Sequence, residues 1–91
     1  MIPTYEKFQQ PILHALADGR TWQVKDLREL IAGPEYFNFS AEERSIMVGS
    51  GNLPQYQDRI GWAISYLFHA GLLERPKRGF YKISHRGLEG L

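Results

Sequence analysis

The 91-residue chain contains no cysteine, which excludes a disulfide framework and any metal site built on thiolates. It has no apolar run near the roughly 18 residues of a membrane span, and its N-terminus lacks the basic and apolar segments of a secretion signal. We therefore expect a cytoplasmic protein with no membrane partner. The length suits one domain over residues 1–91, because a second core would not fit.

Acidic residues are scarce toward the C-terminus. Residues 1–54 carry five basic and seven acidic side chains, a balance of −2, whereas residues 55–91 carry six and three, a balance of +3. Between Arg75 and Arg86 there are five basic residues and no acid. Such a run is often only a solvated face, but beside a candidate recognition helix it favours a phosphate-binding surface.

The sequence also shows no arrangement of residues typical of a catalytic site or a metal site. His14, His69 and His85 are scattered, and none has a second histidine at helical spacing. No nucleophile and base are paired elsewhere. We expect no catalytic residue, no metal ligand and no cofactor in this chain.

The first third of the chain predicts two helices. Apolar residues recur at helical spacing between Thr4, placed to cap the first helix, and Gly19, which ends it, while Pro11 should bend it. Trp22 lies in a short predicted strand and should fill the core. The second helix starts at Gln23 and stops at Gly33. Its exposed face should carry mixed charge: Lys25, Asp26, Arg28 and Glu29.

A third helix and a loop come next. Ser40 and Glu43 have the spacing of a capping box, which predicts a short helix to about Met47. Two glycines, an Asn and a Pro then mark residues 48–54 as a loop. Its backbone N–H groups could meet a phosphate, and Asn52 is our candidate DNA contact there.

The stretch 55–70 predicts the helix on which the function depends. Steps of 100° per residue place one apolar stripe in the core: Tyr56, Ile60, Ala63, Ile64 and Leu67. The opposite side shows Gln55, Asp58, Trp62, Ser65 and His69. Gly61 leaves room for something to approach the helix. Trp62 has two interpretations: it fills a groove beside a neighbouring loop, or it offers an aromatic surface to a modified base.

A basic hairpin follows this helix. Gly71 ends the helix, Leu72 and Leu73 re-enter the core, residues 74–78 turn, and residues 80–83 return as a strand. The whole pattern predicts a mainly α fold with a small β-hairpin. It is an α+β winged helix-turn-helix with four to five helices and a wing sheet of two or three strands.

Several residues from Arg59 onward form a pattern found in a known family. They are Arg59, Gly61-Trp62-Ala63, Tyr66-Leu67, Ala70-Gly71-Leu72, Pro76, Arg78-Gly79, Ile83 and Gly87, together with the opening Ile2-Pro3 and Pro11. With this pattern the chain resembles the N-terminal domain of Mrr-type (type IV) restriction endonucleases. One departure is Ser84, where the family usually has Thr, and this change keeps a capping hydroxyl.

The resemblance implies a DNA-binding module that delivers a covalently linked nuclease domain to methylated or otherwise modified double-stranded DNA. That nuclease domain would be metal-dependent, and its motif is an Asp with a Glu or Gln two residues before a Lys. The nearest match here, Asp18 with Gln23-Val24-Lys25, falls at a helix start, so we do not expect this chain to be an enzyme by itself.

We expect the DNA contacts on the loop, the helix and the wing. The candidates are Asn52, Gln55, Gln57, Arg59, Trp62, Ser65, Arg75, Lys77 and Arg78. The helix 55–70 would enter the major groove, while Arg59 and the wing 75–79 hold phosphates. A protein-interaction or dimerisation module and a stand-alone transcription regulator stay open as alternatives, as does a homodimer.

Overall fold

Five α-helices and a three-stranded sheet make up the described part of the fold. The computed structural model describes residues 2–49, 51 and 53–91. In chain order the elements are a 3₁₀ turn (Tyr5–Phe8), α1 (Gln9–Ala15), β1 (Trp22–Gln23), α2 (Val24–Ala32), α3 (Ala41–Arg44), α4 (Gln55–His69), β2 (Leu73–Lys77), β3 (Phe80–Ile83) and α5 (His85–Glu89). None of these helices has the length and apolar character needed to cross a bilayer.

The core lies between α1, α2 and α4. Its largest fully buried side chains come from the first turn and these three helices: Phe8, Ile12, Leu16, Leu27, Ile31, Ile60 and Ile64. All five residues predicted for the buried stripe of α4 are buried. The helical periodicity was therefore sufficient to place α4, since 3.6 residues per turn fixes which side chains face inward.

The sheet has the strand order β1-β3-β2, and both pairings are antiparallel. Trp22 lies opposite Tyr81, and Leu73 lies opposite Ile83. Trp22 is half-buried and packs against the core, as predicted. The three core helices, together with a β-hairpin that pairs with a short earlier strand, form a winged helix, which confirms the predicted fold class.

The first helix differs from the prediction in its start. Thr4 makes no side-chain capping bond, and a 3₁₀ turn precedes α1. Pro11 consequently lies in the first turn of α1. Backbone N–H groups in the first turn have no partner within an α-helix, so the N–H that proline lacks costs α1 no hydrogen bond. The prediction of one helix that begins after Thr4 was wrong, because the chain changes helix type before the proline.

The third helix is shorter than predicted. The capping box of Ser40 and Glu43 is present, but α3 ends at Arg44 and does not reach Met47. The chain then doubles back, with Val48 N–H donating to the Leu53 carbonyl at 2.9 Å and Gln55 N–H donating to the Ile46 carbonyl at 2.7 Å. These antiparallel bonds use the backbone groups that a longer helix would need.

The wing is longer than predicted and its turn is tighter. We use "wing" for residues 73–83, which comprise β2, β3 and their turn. Glu74 pairs with Lys82 and Lys77 pairs with Phe80, with a register shift between the two pairs. The turn is therefore only Arg78-Gly79, and the positive φ of Gly79, 83°, allows it. The predicted turn over residues 74–78 was wrong, because this irregular stretch of β2 keeps its pairing with β3.

Candidate nucleic-acid interface

A hydrogen-bonded cluster fixes the start of α4 against α2 and α3. The Tyr56 hydroxyl donates to Glu29 Oε2 at 2.9 Å, and Arg44 Nη1 donates to Glu29 Oε1 at 2.8 Å. Arg44 also donates to the Ala32 carbonyl at 3.1 Å. The hydrogen bond to Glu29 raises the pKa of the Arg44 guanidinium above its ordinary value. The cluster holds the outward face of α4 in a fixed orientation.

The outward face of α4 is polar and aromatic, with little charge. Asp58 is its one acid, Ser65 is half-buried, and Trp62 and Tyr66 are 64% and 56% exposed. A hydrogen-bond contact of 2.8 Å joins His69 Nδ1 to the Ser65 carbonyl oxygen. This face presents side chains of differing shape rather than a field of one sign.

The two glutamines predicted as DNA contacts lie at the start of α4. Gln55 and Gln57 are both half-buried. Gln57 Nε2 donates to the Tyr56 hydroxyl at 3.1 Å, so this side chain extends the anchoring cluster. Their role as DNA contacts stays a prediction.

A groove runs along one side of this face. Its volume is about 360 Å³, and five of its lining residues come from α4: Gln57, Asp58, Gly61, Trp62 and Ser65. Arg28 of α2 and Leu53 of the preceding loop form the other wall. Apart from its two chain neighbours and the backbone of its own helix, no atom would lie within 4 Å of a Cβ at Gly61. The open space that we expected beside Gly61 is therefore this groove.

Arg28 is a residue that the sequence reasoning missed. The sequence placed it on a mixed-charge, solvated face of α2, but its side chain is half-buried in the groove wall. Its Nε is buried and has no hydrogen-bond partner within the described part of the chain. The position of Arg28 in the groove wall results from the packing of α2 against α4. The spacing of charged residues along α2 could not predict it, because a fully solvated arginine would give the same spacing.

Trp62 forms a wall of the groove and does not fill it. The interpretation that Trp62 plugs a gap beside a loop is wrong, because the side chain is 64% exposed. On its other side, Trp62 lines an apolar cavity of about 250 Å³ with Tyr5 and Tyr66. The rings of Tyr5 and Tyr66 lie 5.6 Å apart. We call these three residues the aromatic patch.

Arg59 points away from the groove and toward the N-terminal segment. Its Nη1 donates to the Ile2 carbonyl at 2.5 Å and to the Pro3 carbonyl at 3.3 Å. These bonds give Arg59 an internal role, since they tie the start of the chain to α4. Its predicted phosphate contact would have to use its remaining donors, and it stays a prediction.

The wing carries exposed cations that aromatic rings hold in place. The guanidinium of Arg75 lies 4.8 Å from the Phe68 ring centroid, and Lys77 Nζ lies 4.4 Å from that of Phe80. Arg78 is exposed in the turn. In the described residues none of the three forms an ion pair. Cation–π contact leaves their charges available to an anion.

The wing is joined to the rest of the domain at both ends. The Ser84 hydroxyl donates to the Gly71 carbonyl at 2.6 Å and accepts from Gly87 N–H at 3.0 Å, so it caps α5 and ties it to the end of α4. At the turn, Val24 N–H donates to the Gly79 carbonyl at 2.8 Å. These bonds set the position of the wing relative to α4.

Three further points from the sequence concern Asn52, a metal site and the nearest match to a nuclease motif. Asn52 lies outside the described residues. Within residues 2–49, 51 and 53–91, no three His, Asp or Glu side chains come together as a metal site. Asp18, part of the nearest match to a nuclease motif, accepts from Arg20 at 2.7 Å. The backbone N–H of Arg20 also donates to Asp18 and lowers the pKa of its carboxyl group.

Comparison with known proteins gives one family and one curated relative. The family model described as the Mrr N-terminal domain matches residues 5–91. The type IV methyl-directed restriction enzyme EcoKMrr of Escherichia coli strain K12 is 32% identical over 91 residues, which covers 97% of this chain and 28% of that enzyme. The chain thus spans little more than a quarter of this relative's length. No solved structure matches it.

Proposed function

Because this chain belongs to the family of Mrr N-terminal domains, we propose that it binds double-stranded DNA and targets a restriction endonuclease. In this proposal α4 enters the major groove and the wing lies on phosphates. The chain itself performs no catalysis. A metal-dependent nuclease domain, covalently linked in the full-length protein, cuts the DNA in the cytoplasm.

One observation carries the proposal: wing cations that pair with no acid among the described residues lie next to a helix face that has little charge. Arg75 packs on Phe68 of α4, so the basic surface and the helix face adjoin. Lysine and arginine side chains that meet phosphates give affinity for any sequence, whereas base edges are read by the side chains in the groove. A winged helix needs both parts to find a particular target.

The dimensions of α4 suit the major groove. A helix of 15 residues is about 22 Å long at 1.5 Å per residue. The major groove of B-DNA is about 12 Å wide and admits one α-helix. Gln55, Gln57, Trp62 and Ser65 are the candidate base contacts, and Arg75, Lys77 and Arg78 are the candidate phosphate contacts.

The proposed target is methylated or otherwise modified DNA. The curated relative is named as methyl-directed, and the exposed indole of Trp62 offers an apolar surface on the helix face. Apolar side chains contact methyl groups in the major groove in the way they contact thymine. A module of this kind would bring the nuclease to modified DNA and spare unmodified DNA.

A salt titration tests the proposal. The chain is mixed with short duplexes that are unmodified, methylated on cytosine or methylated on adenine, and affinity is measured from low to moderate salt. With about three to five phosphates neutralised, the slope of log K against log salt should be roughly −3 to −4.5. A flat dependence contradicts DNA binding. Equal affinity for all duplexes removes the reading of modification and leaves general DNA binding.

The aromatic patch supports a second candidate, a protein-interaction or dimerisation module. Trp62 and Tyr66 are the two most exposed aromatic side chains among the large exposed hydrophobic residues, and such surfaces are enriched at protein interfaces. Sedimentation of the chain and of a Trp62→Ala, Tyr66→Ala variant tests it. A dimer that the variant loses, together with duplex binding that survives loss of Lys77 and Arg78, would favour this function.

A further inference from the structure

The groove beside α4 combines three chemical groups that the wing does not bring together. Arg28 has a planar fork of donors, Asp58 has a carboxylate that accepts, and Trp62 has an apolar ring. All three line the same space of about 360 Å³. A ligand that fits them must offer acceptors, a donor and an apolar group along one edge.

Arg28 differs from three other arginines of the helical region. Arg20 and Arg44 donate to carboxylates, and Arg59 donates to backbone carbonyls. Arg28 makes no such bond within the described residues, and its Nε is buried. The Nη groups of Arg28 are not buried, so these uncommitted donors suit an external ligand with acceptor atoms.

Asp58 and Arg28 line the groove without pairing with each other. No ion pair joins them in the part of the chain that the structure describes. Each therefore keeps its hydrogen-bonding capacity for a ligand. Gly61 lies between Asp58 and Trp62 on α4 and leaves the space open for a flat group to enter.

The major-groove edge of a C·G base pair carries the complementary groups. Guanine presents O6 and N7 as acceptors, and an arginine fork binds both. Cytosine presents its N4 amino group, from which an Asp or Glu carboxylate accepts. A methyl group on cytosine C5 projects into the same groove, where an apolar side chain can contact it, as with thymine.

We infer that Arg28, Asp58 and Trp62 read one C·G base pair whose cytosine carries a C5 methyl group. Arg28 donates to guanine, Asp58 accepts from the cytosine amino group, and Trp62 contacts the methyl group. The inference rests on the proposed function, because it requires α4 in the major groove. It adds Arg28 and Asp58 as the residues that determine specificity.

A T·A pair mismatches this arrangement at both polar positions. Thymine O4 would face the Asp58 carboxylate, which places one acceptor against another. The adenine N6 amino group would face Arg28, which places one donor against another. The groove therefore rejects T·A even though thymine carries a methyl group at the same ring position.

The test measures affinity for three duplex pools that have randomised flanks and differ at one central pair. The pair is C5-methylated C·G, unmodified C·G or T·A. Wild type should bind them in that order, with a step of about fourfold for the methyl group. Arg28→Lys keeps the charge and loses the fork, so binding to both C·G pools should fall roughly 5- to 150-fold while T·A binding changes little.

Two further variants separate the other contacts. Asp58→Asn should reduce the preference for C·G over T·A, because an amide can donate to thymine O4. Trp62→Ala should remove the preference for the methylated pool and leave the preference for C·G. The control is Arg20→Lys, which changes an arginine paired with Asp18 outside the groove and should leave every ratio unchanged. Thermal melting confirms that each variant is folded.

The outcomes distinguish this inference from the proposed function. If wild type binds all three pools equally but with a steep salt dependence, the inference is overturned and DNA binding stands. If Arg28→Lys weakens all pools by one factor, Arg28 is not a base reader and the inference is also overturned. If no pool is bound in a salt-dependent way, both fail. Pool-specific losses in Arg28→Lys, with an unchanged salt slope, support it.

Discussion

The wing and the outward face of α4 adjoin in space and differ in chemistry. On the wing, Arg75, Lys77 and Arg78 are exposed, and two of them lie over aromatic rings. On α4, the outward face has one acid, Asp58, and an indole that is 64% exposed. The wing presents mainly positive charge, with Glu74 as its one acid, and the helix face presents differing shapes and hydrogen-bonding groups.

Under the proposed function, this difference predicts that the wing provides affinity and the helix face provides specificity. Charge attracts any phosphate backbone and is weakened by salt, so it cannot distinguish sequences. Hydrogen-bonding groups and an apolar plate in a groove distinguish base edges and depend little on salt. Four variants test the two surfaces and the structure that connects them, beginning with the largest expected effect.

The joint between wing and helix should be the most sensitive position. A Cβ at Gly87 would overlap the Leu72 carbonyl oxygen and lie 2.7 Å from Ile83 Cγ1. Gly87→Ala should therefore lower the free energy of unfolding by about 3 kcal/mol, at the upper end for overpacking. Chemical denaturation measures it. The control is Gly90→Ala, where the nearest atoms lie at 3.7 Å; equal losses in both variants would contradict the packing account.

The wing charges should come next. Lys77→Ala with Arg78→Ala removes two phosphate contacts, so the salt slope should become shallower by about 1.8 and affinity should fall roughly ten- to sixtyfold for every duplex. The matched control is Lys7→Ala with Arg20→Ala, which removes the same charge outside the wing. A loss confined to one duplex would mean that the wing reads sequence, contrary to the comparison.

A substitution at Gly61 should change stability and DNA binding in opposite directions. Apart from its two chain neighbours and the backbone of its own helix, no atom lies within 4 Å of a Cβ at Gly61, so Gly61→Ala should stabilise the helix by about 0.5–1 kcal/mol. The added methyl group points into the groove and should weaken duplex binding. Melting and binding are measured on one preparation. Tighter binding by the stabilised variant would show that the groove is not a contact surface.

Acid should weaken the capping box at the start of α3. The backbone N–H of Ser40 donates to Glu43 at 2.9 Å and lowers the pKa of that carboxyl group. Its stabilising contribution is complete above the unfolded-state pKa and disappears as pH falls through the lowered folded-state pKa. In the Glu43→Gln variant, the free energy of unfolding should therefore decrease slightly less as the pH falls.

The control for Glu43 is Glu42→Gln, which removes a neighbouring carboxylate that is outside the capping box. Stability is followed by thermal melting from neutral pH to about pH 2. A pH dependence that Glu43→Gln leaves unchanged would show that the capping box contributes nothing to acid sensitivity.

Much of the fold was predictable because its signals are local and periodic. The buried stripe of α4, the capping box at Ser40 and the helix stop at Gly71 each depend on neighbouring residues alone. The helix and strand boundaries that were predicted wrongly depend on hydrogen bonds to backbone groups farther along the chain. α3 ends early because residues 46 and 48 bond to 55 and 53, and β2 extends to Lys77 because β3 pairs with it.

The candidate site was predictable only in outline. Charge spacing located the wing, and helical periodicity put Trp62 and Ser65 on the outward face. Arg28 escaped notice because its role arises from α2 packing against α4, which places an ordinary surface cation in a groove wall. Arg59 was predicted to contact phosphates. Its bonds to the carbonyl groups of Ile2 and Pro3 could not be predicted, because they join positions more than fifty residues apart in the sequence.

The ratio of affinities for methylated and unmodified duplexes, followed as salt rises, tests the proposed roles of the wing and the helix face most directly. If the wing provides affinity and the α4 face provides specificity, both affinities should fall in parallel with a slope of roughly −3 to −4.5. Their ratio should then stay constant. A ratio that falls toward one as salt rises would contradict the account, because discrimination would then depend on the same charges as affinity.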